Sequence, residues 1–334
     1  MGEKNWMNKV VYFKDSKDLS KALSFFDLSV FKDESVLVKL HMGEENNRFF
    51  TRPAFVKSVI DIILNNQSSP FLYDTTVLYN SPRKDIAGYK KVAYMHGFDK
   101  KNIGCAVVID DDGVIVEVEG HRFEVGKTLY HSSHVVGLSH VKGHIATGMG
   151  GAIKNFGMGG VTSSSKQMMH HGSKPEFKKG NCQFCGICAE VCPFNAISVD
   201  VDSWRVNDPS CFGCGVCVDN CSYDALSYVK DNLQYLLACA MKACISDKQV
   251  LYINDVNRIV DSCDCDPYAK TLLLPDIGYC IATDPVAVDH ASLELIHKEK
   301  KDVFQKTHHI DPYKQIRFGE EIGLGSLDYE LIRL

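Results

Sequence analysis

Eight cysteines between Cys182 and Cys221 carry the strongest chemical signal in this 334-residue chain. They read Cys182-Gln-Phe-Cys185-Gly-Ile-Cys188-Ala-Glu-Val-Cys192-Pro193 and Cys211-Phe-Gly-Cys214-Gly-Val-Cys217-Val-Asp-Asn-Cys221-Ser222. Each half has the C-x2-C-x2-C-x3-C spacing of proteins that ligate [4Fe-4S] clusters. Three thiolates two residues apart wrap three corners of a cubane, and the fourth cysteine is carried away to the other cluster. The expected sets are Cys182, Cys185, Cys188 and Cys221 for cluster I, and Cys211, Cys214, Cys217 and Cys192 for cluster II. Gly186, Gly213 and Gly215 let the backbone approach inorganic sulfide without a Cβ in the way. A structural zinc site needs only paired C-x2-C units, leaving the third cysteine and the C-x3-C-P tail without a purpose.

A second constellation lies outside this stretch. Cys263-Asp264-Cys265 is a C-x-C pair in an acidic loop, able to hold a soft metal or a cluster edge, or to present a redox-active thiolate. Two ligands do not complete a metal site, so His144 or His41 would have to join them. The run His140 to Gly160 interleaves seven glycines with His140 and His144 and closes on Lys154-Asn155. Glycine-rich turns expose backbone N–H groups that can cradle an anion, with lysine adding charge. It is neither a Walker loop nor a dinucleotide fingerprint. Lys39, His41, Lys154 and Asn155 are the candidate anion or substrate ligands. In the catalytic set, Lys142 would bind an anion, His144 would donate a proton and Cys263/Cys265 would take the redox step. Cys105, Cys239, Cys244 and Cys280 read as small buried hydrophobes.

Alternating strand and helix patterns must position these residues. Strands are expected at 36–40, 70–74, 106–109, 114–118, 135–139, 249–254 and 278–282, with helices over 53–65, 87–96, 232–244 and 286–297. Asp284 and Pro285 suit the cap and first turn of the last helix. The pattern predicts an α/β domain with a mainly parallel sheet and flanking helices, whose binding residues gather beyond the strands' carboxyl ends. Lys39/His41, Asp74 and His140/Lys142/His144 all fall at such ends. The pattern stops near residue 178 and resumes near 230. Residues 179–229 therefore read as an inserted α+β two-cluster module between the halves 1–178 and 230–334, with a basic linker over 162–180. Within it Ile197, Val199 and Val206 predict a hairpin across Asp202-Ser203.

Residues 181–228 hold six acids against the single base Arg205, a net of −5 that equals the formal charge of the whole chain. Such a surface suits a redox partner with a basic docking face, or simply solubility. With 45% hydrophobic and 24% charged residues the chain is globular, and it has no basic arm to suggest nucleic acid. No apolar run reaches membrane-spanning length, and the start at Met1–Trp6 lacks a signal-peptide core. Eight ligand thiols require a reducing interior, so a cytoplasmic, anaerobic setting is expected. A flavin or an additional metal is compatible with the chain, though no motif specifies either.

The segment 181–228 resembles two-cluster bacterial ferredoxins, departing at Ser222, where many carry proline. Val38-Lys39-Leu40-His41-Met42-Gly43-Glu44, Asp74-Thr75, His96-Gly97-Phe98, Lys142-Gly143-His144 through Asn155, Cys263-Asp264-Cys265 and Thr283 to Asp289 resemble motifs of the DUF362 family, described as uncharacterised iron–sulfur centre proteins. The resemblance implies that both halves around the insert form one α/β unit, and it implies no reaction. Three functions are consistent with these readings. The first is an electron-transfer protein feeding low-potential single electrons to a partner or to its own α/β site. The second is a ferredoxin-fused oxidoreductase acting on a small anionic substrate or bound cofactor. The third is a metal or cluster delivery protein using the C-x-C pair.

Overall fold

A computed structural model describes residues 8–334, so the leaderless start expected at Met1–Trp6 lies outside the described residues. Its centre is an eight-stranded sheet in the order Tyr329–Arg333, Asn8–Phe13, Gly278–Ala282, Gln249–Val256, His134–His140, Ser35–Lys39, Ser69–Thr75 and Ala106–Asp110. The last five of these run parallel to one another. Gly278–Ala282 is antiparallel to both neighbours, and Tyr329–Arg333 pairs parallel with Asn8–Phe13. The sheet is thus mostly parallel, as expected.

The strands are apolar on both faces because helices cover both. Val36 and Val38 enter one core with the helices Pro53–Asn65 and Ile86–Met95. Leu37, one residue out of phase, enters the other with the helices Ala152–Gly157, Leu233–Ile245 and Pro285–Glu299. Pro53 begins its helix at the position where a missing N–H costs nothing, and Asp284 accepts hydrogen bonds from the Val286 and Ala287 N–H groups. Cys105, Cys239, Cys244 and Cys280 are buried in these layers.

Two expectations need correction. The strand over 114–118 exists, as Gly113–Val118, but pairs with His121–Gly126 in a separate hairpin rather than joining the sheet. The expected linker over 162–180 contains the helix Ser163–Gly172, which buries Ser165, Lys166, Met169 and Gly172 against the body. Pro175–Phe177 pairs antiparallel with Leu226–Tyr228, closing off the segment expected as the inserted module. That pairing holds the two ends of the insert side by side, the condition under which an insertion leaves its host undisturbed. Inside lie the hairpin Ile197–Val199/Trp204–Val206 and two short helices, Ile187–Glu190 and Val216–Asp219. No described helix is long and apolar enough to cross a membrane.

Candidate functional site

The parallel strands Ser35–Lys39, Ser69–Thr75 and His134–His140 end on one edge of the sheet, carrying Lys39, Asp74 and His140 there. A cavity opens above this edge, with about 940 Å³ of space counting its mouth. Lys39, His41, Lys142, His144, Lys154, Asn155, Cys263 and Cys265 all line it, so the structure brings every expected α/β site residue together. It also adds residues that sequence reasoning did not single out: Arg83, Lys166, His170 and Phe212.

Much of the buried charge around the cavity is paired, as an apolar interior favours. Lys39 Nζ lies 2.8 Å from Asp74 Oδ1 and donates to Asn155 Oδ1 at 2.9 Å. Burial lowers the Lys39 ammonium, and Asp74 only partly restores it. Burial would raise the Asp74 carboxyl, but Lys39 and its other cationic neighbours hold it below the usual range. The Tyr89 hydroxyl donates to the second Asp74 oxygen. Arg83, fully buried, reaches Glu44 Oε2 with Nε at 3.1 Å and Nη2 at 3.0 Å. Its Nη1 sits 2.8 Å from His41 Nε2. Burial, and then the Arg83 charge, lower the His41 imidazole to about 3, keeping it neutral.

Asp264, between the two C-x-C sulfurs in sequence, turns away from them. It takes His140 Nδ1 at 2.7 Å and Lys142 Nζ at 3.0 Å. Burial opposes its charge, but His140 and Lys142 overcome that and hold it ionised. The Lys142 ammonium is itself raised, since Asp264 and the nearby thiols outweigh burial. Lys39 and Lys142 are thus paired with Asp74 and Asp264 within the cavity wall.

The glycine-rich turn departs from expectation. The exposed N–H groups at the start of Ala152–Gly157 are taken by a carboxylate of the chain itself. Asp289 accepts from Ala152 N–H at 2.7 Å and Ile153 N–H at 2.9 Å. Burial raises Asp289 to about 6.

Around the sulfurs, one donor atom each from His144, Cys263 and Cys265 falls within 4.8 Å of the others. Lys154 Nζ stands 4.0 Å from Cys263 Sγ. His144 Nδ1 accepts from Ala146 N–H at 3.1 Å, and burial followed by the Lys154 charge lowers the imidazole to about 4. The Cys263 thiol is pushed well down by the hydrogen bond from Cys265, with Lys154 and His144 adding to it. Cys265 is pushed up by the same contact. The contact thus favours the thiolate on Cys263 over Cys265. Opposite them, Lys166 donates to Thr75 Oγ1 at 2.8 Å and to the Thr76 carbonyl, and burial lowers it to about 7.

The insert cysteines fall into two sets. Cys182, Cys185, Cys188 and Cys221 line one small cavity; Cys192, Cys211, Cys214 and Cys217 line another. Phe212 lines the second of these and also the large cavity. The acids of the insert are partly spent on the host: Asp208 pairs with Lys174 and Asp219 with Lys314, each at 2.7 Å.

Two solved structures give the scale of similarity to known folds. The lactate racemase apoprotein from Thermoanaerobacterium thermosaccharolyticum aligns with a TM-score of 0.43 and 11% identity, over 90% of this chain and 59% of that one. A Thermotoga maritima protein aligns with a TM-score of 0.45 and 10% identity, over 88% and 58%. The chain thus spans less than two thirds of either. No curated protein matches it. The family described as "Domain of unknown function (DUF362)" matches residues 36–294, most of the sheet, the whole insert and every residue of the large cavity described above, and the chain belongs to that family.

Proposed function

We propose that this chain is an iron–sulfur electron-transfer protein whose inserted, ferredoxin-like module holds two [4Fe-4S] clusters and serves the cavity of its own α/β domain. Cys182, Cys185, Cys188 and Cys221 would hold one; Cys211, Cys214, Cys217 and Cys192 the other. Bound there, the clusters supply single electrons at low potential. The donor spacing supports this occupant over zinc. Each half of the motif carries a third cysteine and a C-x3-C tail that a zinc site has no use for.

The observation that carries the reading is Phe212. It lines both the Cys192/Cys211/Cys214/Cys217 cavity and the large cavity, so a single residue stands in the wall of each. The chain's own residues would then do three things there. Lys154, beside Cys263, binds a small anionic substrate; neutral His144 supplies a hydrogen-bond donor; Cys263 presents a thiolate. The other set includes Cys185, which is exposed, and is the natural face for a redox partner. Glu190, Asp202 and Asp224 of the insert have no cationic partner within 4.0 Å among the described residues, and would meet that partner's basic surface.

Anaerobic reconstitution tests the reading: about eight iron and eight sulfide per chain are expected, with two centres reducible in EPR. Stoichiometric zinc and no acid-labile sulfide would reject it.

A further inference from the structure

The grouping of His144, Cys263 and Cys265 within 4.8 Å is what a thiophilic metal ion would use. Two contacts argue against that occupant. Because His144 Nδ1 already accepts the Ala146 N–H, the neutral ring keeps its proton on Nε2, leaving a donor and no lone pair. The Lys154 ammonium, 4.0 Å from Cys263 Sγ, also repels a cation. Both features instead favour a thiolate. The structure has Cys263 and Cys265 unbridged, separated by one residue, with sulfurs within 4.8 Å of each other, a gap that a disulfide bond of roughly 2.05 Å would close.

We infer that Cys263 and Cys265 are a redox-active dithiol that reduces a small anionic disulfide in the cavity and is itself restored by electrons from the insert. The inference rests on the electron delivery proposed above. The substrate is anionic because Lys154 is the cavity cation left for it. Lys39, Lys142 and Arg83 are paired with Asp74, Asp264 and Glu44, and Lys166 is engaged by Thr75 and Thr76. It is small because Cys263, 7% exposed, lies inside the cavity rather than on a protein-facing surface.

The chemistry balances. Cys263 thiolate attacks one sulfur of the substrate R–S–S–R′, forming a mixed disulfide and releasing R–S⁻, which takes a proton from solvent. Cys265 gives up its proton and attacks Cys263 Sγ, closing the Cys263–Cys265 bond and releasing R′–S⁻, which takes that proton. Two electrons and one proton then break the bond and restore Cys263 thiolate and Cys265 thiol. The sum is R–S–S–R′ + 2e⁻ + 2H⁺ → RSH + R′SH, and two one-electron centres hold the required pair.

The test uses the full chain, reconstituted anaerobically and equilibrated across dithiothreitol buffers of stepped oxidation. It is then alkylated, and the peptide carrying Cys263 and Cys265 is weighed. Both cysteines should lose label together in a two-electron transition, while Cys239 and Cys280 keep their behaviour throughout. Adding dithionite to the oxidised protein should restore the label at least tenfold faster than in Cys217→Ser, where one cysteine set is broken. No paired loss of label at any buffer ratio, with iron content intact, overturns the dithiol and leaves the electron-transfer reading standing. Paired loss with equal recovery in Cys217→Ser overturns the insert as electron source. One retained zinc ion shielding both thiols overturns the inference in favour of a metal site.

Discussion

The Phe212 ring meets the His170 imidazole edge-on at 4.4 Å, and His170 Nδ1 lies 3.0 Å from the Phe212 carbonyl. Phe212 stacks on Phe194 on its other side, with ring centres 5.0 Å apart, so this one residue ties the insert to the helix Ser163–Gly172. The joint is tight at the next position. A Cβ on Gly213 would lie 1.9 Å from the His170 carbonyl oxygen, at a backbone φ of +68°. Gly213→Ala should therefore lift the insert off the body. Limited proteolysis within 173–181 should rise sharply. Gly120→Ala, with φ of +72° and no atom within 4 Å, should cost only the left-handed penalty of about 1–2 kcal/mol and leave cleavage unchanged. Equal behaviour of the two variants would mean that the Phe212–Gly213 contact does not hold the insert in place.

The two cysteine cavities cross the sequence repeat: Cys192 joins Cys211, Cys214 and Cys217, while Cys221 joins the first three. Cys192→Ala should accordingly abolish the EPR signal of the centre held by the second repeat, and Cys221→Ala that of the first. Each variant should retain about four iron per chain. Loss of the sequence-local centre in both variants would contradict the crossed grouping.

The two C-x2-C-x2-C triplets were legible because their spacing is local, while the crossing of Cys192 and Cys221 between groups was read from the known pattern of two-cluster ligation. The parallel strand ends were legible for a similar reason: apolar runs such as Val36–Leu40 show on their own sequence where the sheet edge falls. Pairings between distant segments were not. Nothing near the glycine-rich turn announces Asp289, more than a hundred residues on, as the carboxylate that fills it. Arg83 and Glu44 sit in polar loops, and only the fold shows them buried together. Lys166 was hidden inside what reads as a basic linker, since the helix around it buries Ser165, Lys166 and Gly172 with Met169 as its only buried large apolar side chain. The reversed direction of Gly278–Ala282 is likewise set by its neighbours rather than by its residues.

Asp264 neutralises Lys142 at 3.0 Å and accepts from His140 at 2.7 Å with almost no solvent access. Asp264→Asn leaves a buried ammonium without its counter-charge. The expected loss is about 3–5 kcal/mol in urea unfolding, the usual cost of removing one partner of a buried pair. A change under about 1 kcal/mol would show that water reaches Lys142 and that the pair is not a buried one.

Lys166 supplies a pH test whose sign is fixed by its surroundings. Its Nζ is buried against Thr75 and Thr76 with no carboxylate within 4.0 Å among the described residues. Burial lowers it from 10.5 to about 7 in the folded chain. Between those two values the unfolded chain binds a proton that the folded chain does not, so stability rises with pH through that window. Below about 7 both states are protonated, and the full cost of a buried charge is present. Lys166→Met removes the titration while keeping much of the side-chain volume. Stability of the natural chain minus that of Lys166→Met should therefore be flat below about pH 7. Above it the difference should climb by up to about 1.4 kcal/mol per pH unit, to be read from urea unfolding at pH 6, 7.5 and 9. Parallel stability curves for the two proteins would mean that Lys166 keeps an ordinary ammonium and that water fills the cavity around it.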